Sequence, residues 1–304
     1  MGVKTKISWC DATWNPVTGC LHGCEYCYAR SIARRFSCEG QTLDAPIELQ
    51  QIWLEDGGAA LRQNGCHVLR EPVKLKDSGR ICPYPFAFAP TFHRYRLDEP
   101  QKWKKPKNIF VCSMADLMGA WVPEHWKQDV IAACKDAPQH RYLFLTKNPY
   151  GYNTWPTMEH LLEHEFDQQN FWLGCSMTGH EDLSEYNGHY GRYLYAMNGN
   201  MIPGMAHRFI SIEPILTDVF ALDGYTKGMS ALEEVISGRY RFIEWVILGA
   251  ETGNRKDKVE PERAWIDKII ECCDKGGTPV FMKESLREIM GEDFRQEFPW
   301  EVKA

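Results

Sequence analysis

The chain has 304 residues, 44% of them hydrophobic and 25% charged, with a net charge of −6 and 12 cysteines. Its length allows one large barrel or two ordinary domains, and its composition is that of a water-soluble protein. The acidic balance excludes a chain-wide electrostatic grip on nucleic acid, so such contact would need a local basic patch. The N-terminal residues Met1–Trp9 contain no apolar leader, and no apolar run long enough to span a membrane follows. A cytoplasmic protein without membrane contact is the expectation. In that reducing compartment the cysteines are expected as thiols or metal ligands, not a disulfide framework, with Cys134, Cys272 and Cys273 as core filler.

A strand near Ile7–Trp9 or Thr13–Val17 should lead into the most informative stretch, residues 18–36. There Cys20, Cys24 and Cys27 follow a C-x3-C-x2-C spacing, and Gly19 and Gly23 let the loop curl. Beyond Cys27 the pattern becomes helical, with Ala29, Ile32, Ala33 and Phe36 on one face and Arg30, Arg34 and Arg35 elsewhere. Thiolates at such short spacings hold iron–sulfur clusters. Three ligands from one loop leave the fourth iron of a 4Fe–4S cluster open to a small molecule. A zinc loop is the competing reading, with His22, Cys10 or Cys38 as fourth ligand.

Residues 38–106 break the rhythm. They carry seven prolines and one weak helical pattern near 46–63, the composition of an insertion that covers or binds. Its tail, His93–Lys107, interleaves basic residues with Tyr95 and Trp103, which would suit a phosphate backbone and stacked bases. A solvated loop face has the same composition. Cys66, His67, Cys82 and His93 are candidate ligands of a second metal, although their spacing matches no metal motif.

From residue 106 strands and helices alternate. The strand candidates are 108–113, 141–146, 171–176, 207–212, 243–249 and 279–283. They start about 30–36 residues apart, one βα unit each. Apolar stripes predict helices through Trp126, Val130, Ala133, Cys134 and Ala137, around Leu232, Val235 and Ile236, and through Trp265, Ile266, Ile269, Ile270 and Cys273. The expected fold is α/β: a partial (β/α)6-type parallel barrel over residues 1–304, with 38–106 inserted after the cysteine-loop helix.

Chemistry in parallel barrels gathers where strands end. Here the strands exit into Ser113 and Asp116, into Lys147, into Ser176, into Glu213, into Glu251 and into Lys283. Turn residues are polar in any case, but these charges are costly in a dry mouth unless paired.

The Cys20-x3-Cys24-x-Tyr26-Cys27 pattern, with an aromatic before the third cysteine, resembles the cluster motif of the radical S-adenosylmethionine (SAM) superfamily. That resemblance implies a 4Fe–4S cluster on Cys20, Cys24 and Cys27 and a SAM bound to its open iron. It also implies reductive SAM cleavage, hydrogen abstraction from a substrate, an electron donor of flavodoxin or ferredoxin type, and an open six-unit barrel. The phrases Ala12–Cys20, Phe110–Asp116, Leu145–Lys147, Ser211–Pro214 and Leu248–Gly253 resemble a phage- and prophage-associated radical SAM family of unknown function, itself distantly similar to the spore photoproduct lyases. Gly249-Ala250 stands where that family has a glycine pair, and many relatives have a longer first cysteine spacing.

On this resemblance Tyr26 should lie against the adenine, Ser113 or Asp116 near the methionine ammonium, Lys147 near its carboxylate and Glu213 near the ribose or sulfonium. Ser176 and Glu251 complete the expected SAM set. Cys112 and Cys175, both in Cys-Ser-Met phrases, would return a hydrogen atom to a substrate radical as a lone cysteine does in the photoproduct lyases. A nucleobase or nucleotide is the first expected substrate, in phage DNA modification or repair. A peptide or small metabolite is the second, and a zinc-stabilised nucleic-acid-binding module without radical chemistry is the reading from another class. A partner protein is left open.

Overall fold

The computed structural model describes residues 5–44, 48–50, 65–152, 170–179, 206–220, 231–239 and 241–301. The chain forms two compact units, Met1–Phe144 and Leu145–Ala304. The fold is α/β, built on seven parallel strands of the partial-barrel class expected from the strand–helix alternation.

In the first unit β1 (Ala12–Trp14) and β2 (Val17–Thr18) precede the cysteine loop, and α1 (Tyr28–Arg35) follows it. The insertion contributes β3 (Leu43–Asp44), β4 (Glu48–Gln50), β5 (Cys66–Leu69), β6 (Lys74–Leu75) and β7 (Thr91–His93). Then come β8 (Asn108–Val111), α2 (Glu124–Lys135) and β9 (Arg141–Thr146). Strands β1, β8 and β9 pair in parallel, in that order. Trp14, Trp126 and Tyr142 are fully buried around them, and the Trp14 Nε1–H donates to the Arg96 carbonyl at 2.8 Å.

The described part of the insertion holds more regular structure than its prolines suggest. Strands β2, β7, β5 and β4 make a small mixed sheet, and β3 pairs with β6. The helix expected near 46–63 is not formed at Glu48–Gln50, which is β4 and pairs with β5; residues 51–63 lie outside the described residues. Local helical periodicity loses here to pairing with a distant strand.

Cys38 and Cys82 form a disulfide, packed with Leu75 and against Leu43. For these two cysteines this corrects the expectation of thiols or metal ligands. The fold brings two cysteines 44 residues apart into bonding range, which spacing alone does not reveal. It also removes Cys82 from the set proposed for a second metal. Of the others, His93 Nε2 lies 2.9 Å from Thr18 Oγ1, and His67 stacks on Phe86 at 3.6 Å.

The second unit holds β10 (Phe171–Met177), β11 (His207–Ile212), α3 (Ala231–Ile236), β12 (Trp245–Leu248), α4 (Arg263–Gly276) and β13 (Val280–Met282). Strands β10 to β13 pair in parallel in chain order. Gly277, left-handed at φ 61°, ends α4 as the sequence suggests.

Register sorts this unit's side chains by face. Ser176, Ser211, Ile247 and Phe281 stand abreast, while Cys175, Ile210, Val246 and Val280 form a row on the opposite face. The Ser176 face begins in an aromatic layer. Trp172 stacks on His207 at 4.4 Å, and Trp245 meets Trp300 at 5.2 Å. Upward along the strands it turns to hydroxyls and then to charge.

Candidate functional site

The cysteine loop is fixed at its entrance by backbone bonds. The Gly19 N–H donates to the Met114 carbonyl at 2.8 Å and the Cys20 N–H to the Phe88 carbonyl at 3.3 Å. Gly19 has φ 87°, and a Cβ there would lie 2.3 Å from the Ala89 carbonyl oxygen. Only glycine lets the chain turn that close to the insertion's backbone.

At its exit the loop becomes helix through a sulfur cap. Cys27 is the N-cap of α1, and its Sγ accepts the Arg30 N–H at 3.4 Å. Arg34 and Arg35 in the last turn complement the helix dipole. The buried face of α1 is narrower than its periodicity implies. Ala29 and Ala33 are buried, whereas Ile32 and Phe36 are 37% and 53% exposed. Phe36 is the C-cap, outside the helix proper.

Cys20, Cys24 and Cys27 are all free thiols, partly accessible to solvent. Burial pushes Cys20 up to about 12, and the nearby charges of Asp116, Cys24 and Cys27 add to this. A cationic group on the loop reverses that balance, because coordination deprotonates a thiol outright. Among the described residues no three metal-ligating side chains are drawn together as a metal site. In donor type the loop fits an iron–sulfur cluster: three thiols, none in a disulfide, and a buried Arg30 Nε with no hydrogen-bond acceptor.

The end of β8 surrounds the loop with polar contacts. Asn15 Oδ1 accepts from Ser113 Oγ at 3.1 Å and from the Met114 N–H at 2.9 Å. The Tyr28 hydroxyl donates to the Ser113 carbonyl at 2.9 Å. Asp116 is buried and takes His22 Nε2 at 2.7 Å. Tyr26 is half-buried within the loop. The structure thus brings Tyr26, Ser113 and Asp116 into the neighbourhood of the thiols, but Asp116 is already engaged. His22, read in the sequence only as a zinc ligand, is a neighbour of Asp116 that periodicity could not find. It is a loop residue whose partner lies 94 positions away.

Cys112 was expected inside its strand. Instead β8 ends at Val111, and Cys112 adopts φ 57°, a left-handed conformation uncommon for a residue with a Cβ. Its thiol is buried and pushed up to about 12 by that burial, so it stays protonated at neutral pH. Cys175 is buried on the face of β10 opposite Ser176.

In the second unit the strand-end charges pair with one another. Lys283 Nζ donates to both carboxylate oxygens of Glu213. The pair reaches across β12 at Gly249, where a Cβ would lie 3.1 Å from both Glu213 Cγ and Lys283 Cδ. The small residue noted in the sequence therefore has a local cause. One layer below, Ser211 Oγ is buried with no partner, next in register to the buried Ser176. Glu251, its side chain 1% exposed, is gripped by Arg255 at 2.7 and 2.8 Å. That fork holds its carboxyl below the ordinary carboxylate value. Lys147 is half-buried just past β9.

Three of the six lysines and arginines in the insertion's basic tail are paired with acids. Arg94 pairs with Asp129, Arg96 with Glu99 and Lys102 with Asp98. Trp103 lies edge-on to His140 and carries Lys107 over its ring. Lys104 and Lys105 are exposed.

Comparison with known proteins adds family and fold. A family described as "Protein of unknown function (DUF5131)" matches residues 4–287. The chain belongs to that family. No curated protein matches it. Among solved structures it is similar to "Spore photoproduct lyase complexed with dinucleoside spore photoproduct", at 11% identity and a TM-score of 0.50, over 93% of this chain and 79% of that one. At that identity the likeness shows a shared fold. No helix among the described residues is long and apolar enough to cross a membrane.

Proposed function

We propose that this member of the DUF5131 family is a radical SAM enzyme, with Cys20, Cys24 and Cys27 as ligands of a 4Fe–4S cluster. The observation that carries the reading is three free thiols in C-x3-C-x2-C spacing on a loop that runs into a helix. The fold shared with a spore photoproduct lyase supports it. When bound, the cluster and SAM would supply one-electron cleavage and a hydrogen-abstracting radical; the protein holds and shields them. An electron carrier of flavodoxin or ferredoxin type completes the requirement.

The chain's own groups divide the remaining work. Arg30, its Nε without an acceptor, offers charge to the anionic cluster or to the SAM carboxylate. Tyr26 and the Ser113 hydroxyl are proposed to contact SAM. Lys147, Ser176, Glu213 and Glu251 are proposed for it in the second unit, with Glu213 and Glu251 presented as ion pairs. Cys112 and Cys175, both buried, are the two candidate hydrogen donors. The S–H of one of them would give its hydrogen atom to a carbon radical of substrate and keep the other S–H electron on sulfur.

A nucleobase or nucleotide is the proposed substrate class, from the dinucleoside named with the structural neighbour. The zinc alternative is weakened by one contact: Cys38 is in a disulfide, which removes one of its three candidate fourth ligands.

The test is anaerobic reconstitution with iron and sulfide. Wild type should turn brown and bind about four irons per chain. Cys20→Ala, Cys24→Ala and Cys27→Ala should each lose that iron, while Cys134→Ala and Cys272→Ala retain it. A colourless, zinc-loaded wild type, or full iron retention in Cys24→Ala, overturns the assignment.

A further inference from the structure

Between Cys20 and Cys24 the loop has one side chain with a firm grip on the body of its unit. His22 Nε2 donates to Asp116 Oδ2 at 2.7 Å, and its ring stands edge-on to Trp121 at 4.8 Å. Asp116 Oδ1 accepts the Met118 N–H at 3.1 Å, which fixes the carboxylate from its other side. The two side chains are 22% and 7% exposed, so the bond is sheltered from water. The neighbouring Gly23, in contrast, faces open space: a Cβ there would meet no atom within 4 Å beyond its chain neighbours.

The placement of Asp116 calls for a reason. Asp116 is buried, and a buried charge is costly unless it is paired or hydrogen-bonded. The hydrogen bond to His22 is the compensating gain.

We infer that His22 and Asp116 form a latch, a pair of positioning residues that ties the middle of the cysteine loop to the exit of β8 and holds its thiols ready for a common group. The inference rests on the proposed cluster for what the loop holds, and on geometry alone for the latch. Asp116 thereby takes a role other than the SAM ammonium contact expected from its position after a strand.

The experiment compares wild type with His22→Ala, Asp116→Asn, the double variant and His22→Gln, whose amide can still donate to a carboxylate. Two quantities are read: amide hydrogen exchange across residues 19–27 in protein without cluster, and the rate of iron loss to a chelator after reconstitution. Each single variant should accelerate both by about tenfold or more. The double variant should be no worse than the worse single, as expected for partners in one interaction. His22→Gln should recover part of the loss. The thermal midpoint should barely move, which separates a loop latch from a general loss of folding. Unchanged exchange in both single variants, or strictly additive effects in the double, overturns the latch. If wild type binds no iron, the cluster assignment fails while the exchange measurement still decides the latch.

Discussion

Both units place acids where parallel strands end, and they use them differently. In the first unit Asp116 is joined to a histidine of the cysteine loop and to a backbone N–H, so the acid shapes the chain. In the second unit Glu213 and Glu251 are joined to Lys283 and Arg255, so each acid is balanced by a cation of its own. The difference teaches that a charge at a strand exit is not by itself a ligand-binding charge. What matters is what must be displaced before a ligand can use it: a loop in the first unit, an ion pair in the second.

The comparison can be broken hardest at the neck of the loop. Gly19→Ala combines a left-handed backbone with a Cβ 2.3 Å from the Ala89 carbonyl oxygen, and neither backbone can yield. It should cost at least about 3 kcal/mol, the sum of a conformational penalty and overpacking. Gly23→Ala shares the positive φ at 77° but meets open space, so only about 1–2 kcal/mol should be lost. Denaturant titration of the two variants measures the difference. Equal effects would mean that the loop is not pressed against the insertion.

A smaller effect is expected at Glu251. Removing its carboxylate with Glu251→Gln should cost about 2 kcal/mol, as for a charge-assisted hydrogen bond to a buried group. The pH dependence gives the sign. Arg255 lowers the folded carboxyl below its ordinary value of 4.5. The stabilisation is therefore present above that value and is lost as pH falls through the folded one. Wild type should thus exceed the variant in stability at pH 7 and converge with it on acidification. A constant gap would deny the ion pair its place in the account.

The smallest effect should come from Lys283→Met. The Lys283 and Glu213 side chains are 23% and 27% exposed, so water screens the pair and consoles whichever partner remains. About 1 kcal/mol is expected, read by chemical denaturation. A loss several times larger would make the pair a structural clasp, comparable with the latch of the first unit.

Much of the parallel architecture is legible in the sequence, because buried strands announce themselves as short apolar runs. The expected bounds of β9 and β11 coincide with the observed ones, and α2 and α4 follow their stripes. The insertion was illegible for a physical reason. Its strands are two to four residues long, too short for alternation to register, and β5 depends on two partners far apart in sequence. The face of α1 was overread because a stripe of four apolar residues does not say how far the surrounding protein reaches along it. The cysteines themselves could be seen at once, whereas the grip on His22 could not, since a tertiary hydrogen bond leaves no periodic trace.

The Cys38–Cys82 bridge gives this chain two thiol chemistries with opposite redox demands. Joining cysteines 44 residues apart would restrict the unfolded chain by about 4 kcal/mol on the loop-entropy account. The same oxidising conditions that preserve that gain would consume the free thiols of the cysteine loop. A compartment reducing enough to keep Cys20, Cys24 and Cys27 available tends instead to open the bridge. The stability of the insertion and the reduced state of the loop thiols are therefore set against each other by the ambient thiol–disulfide poise.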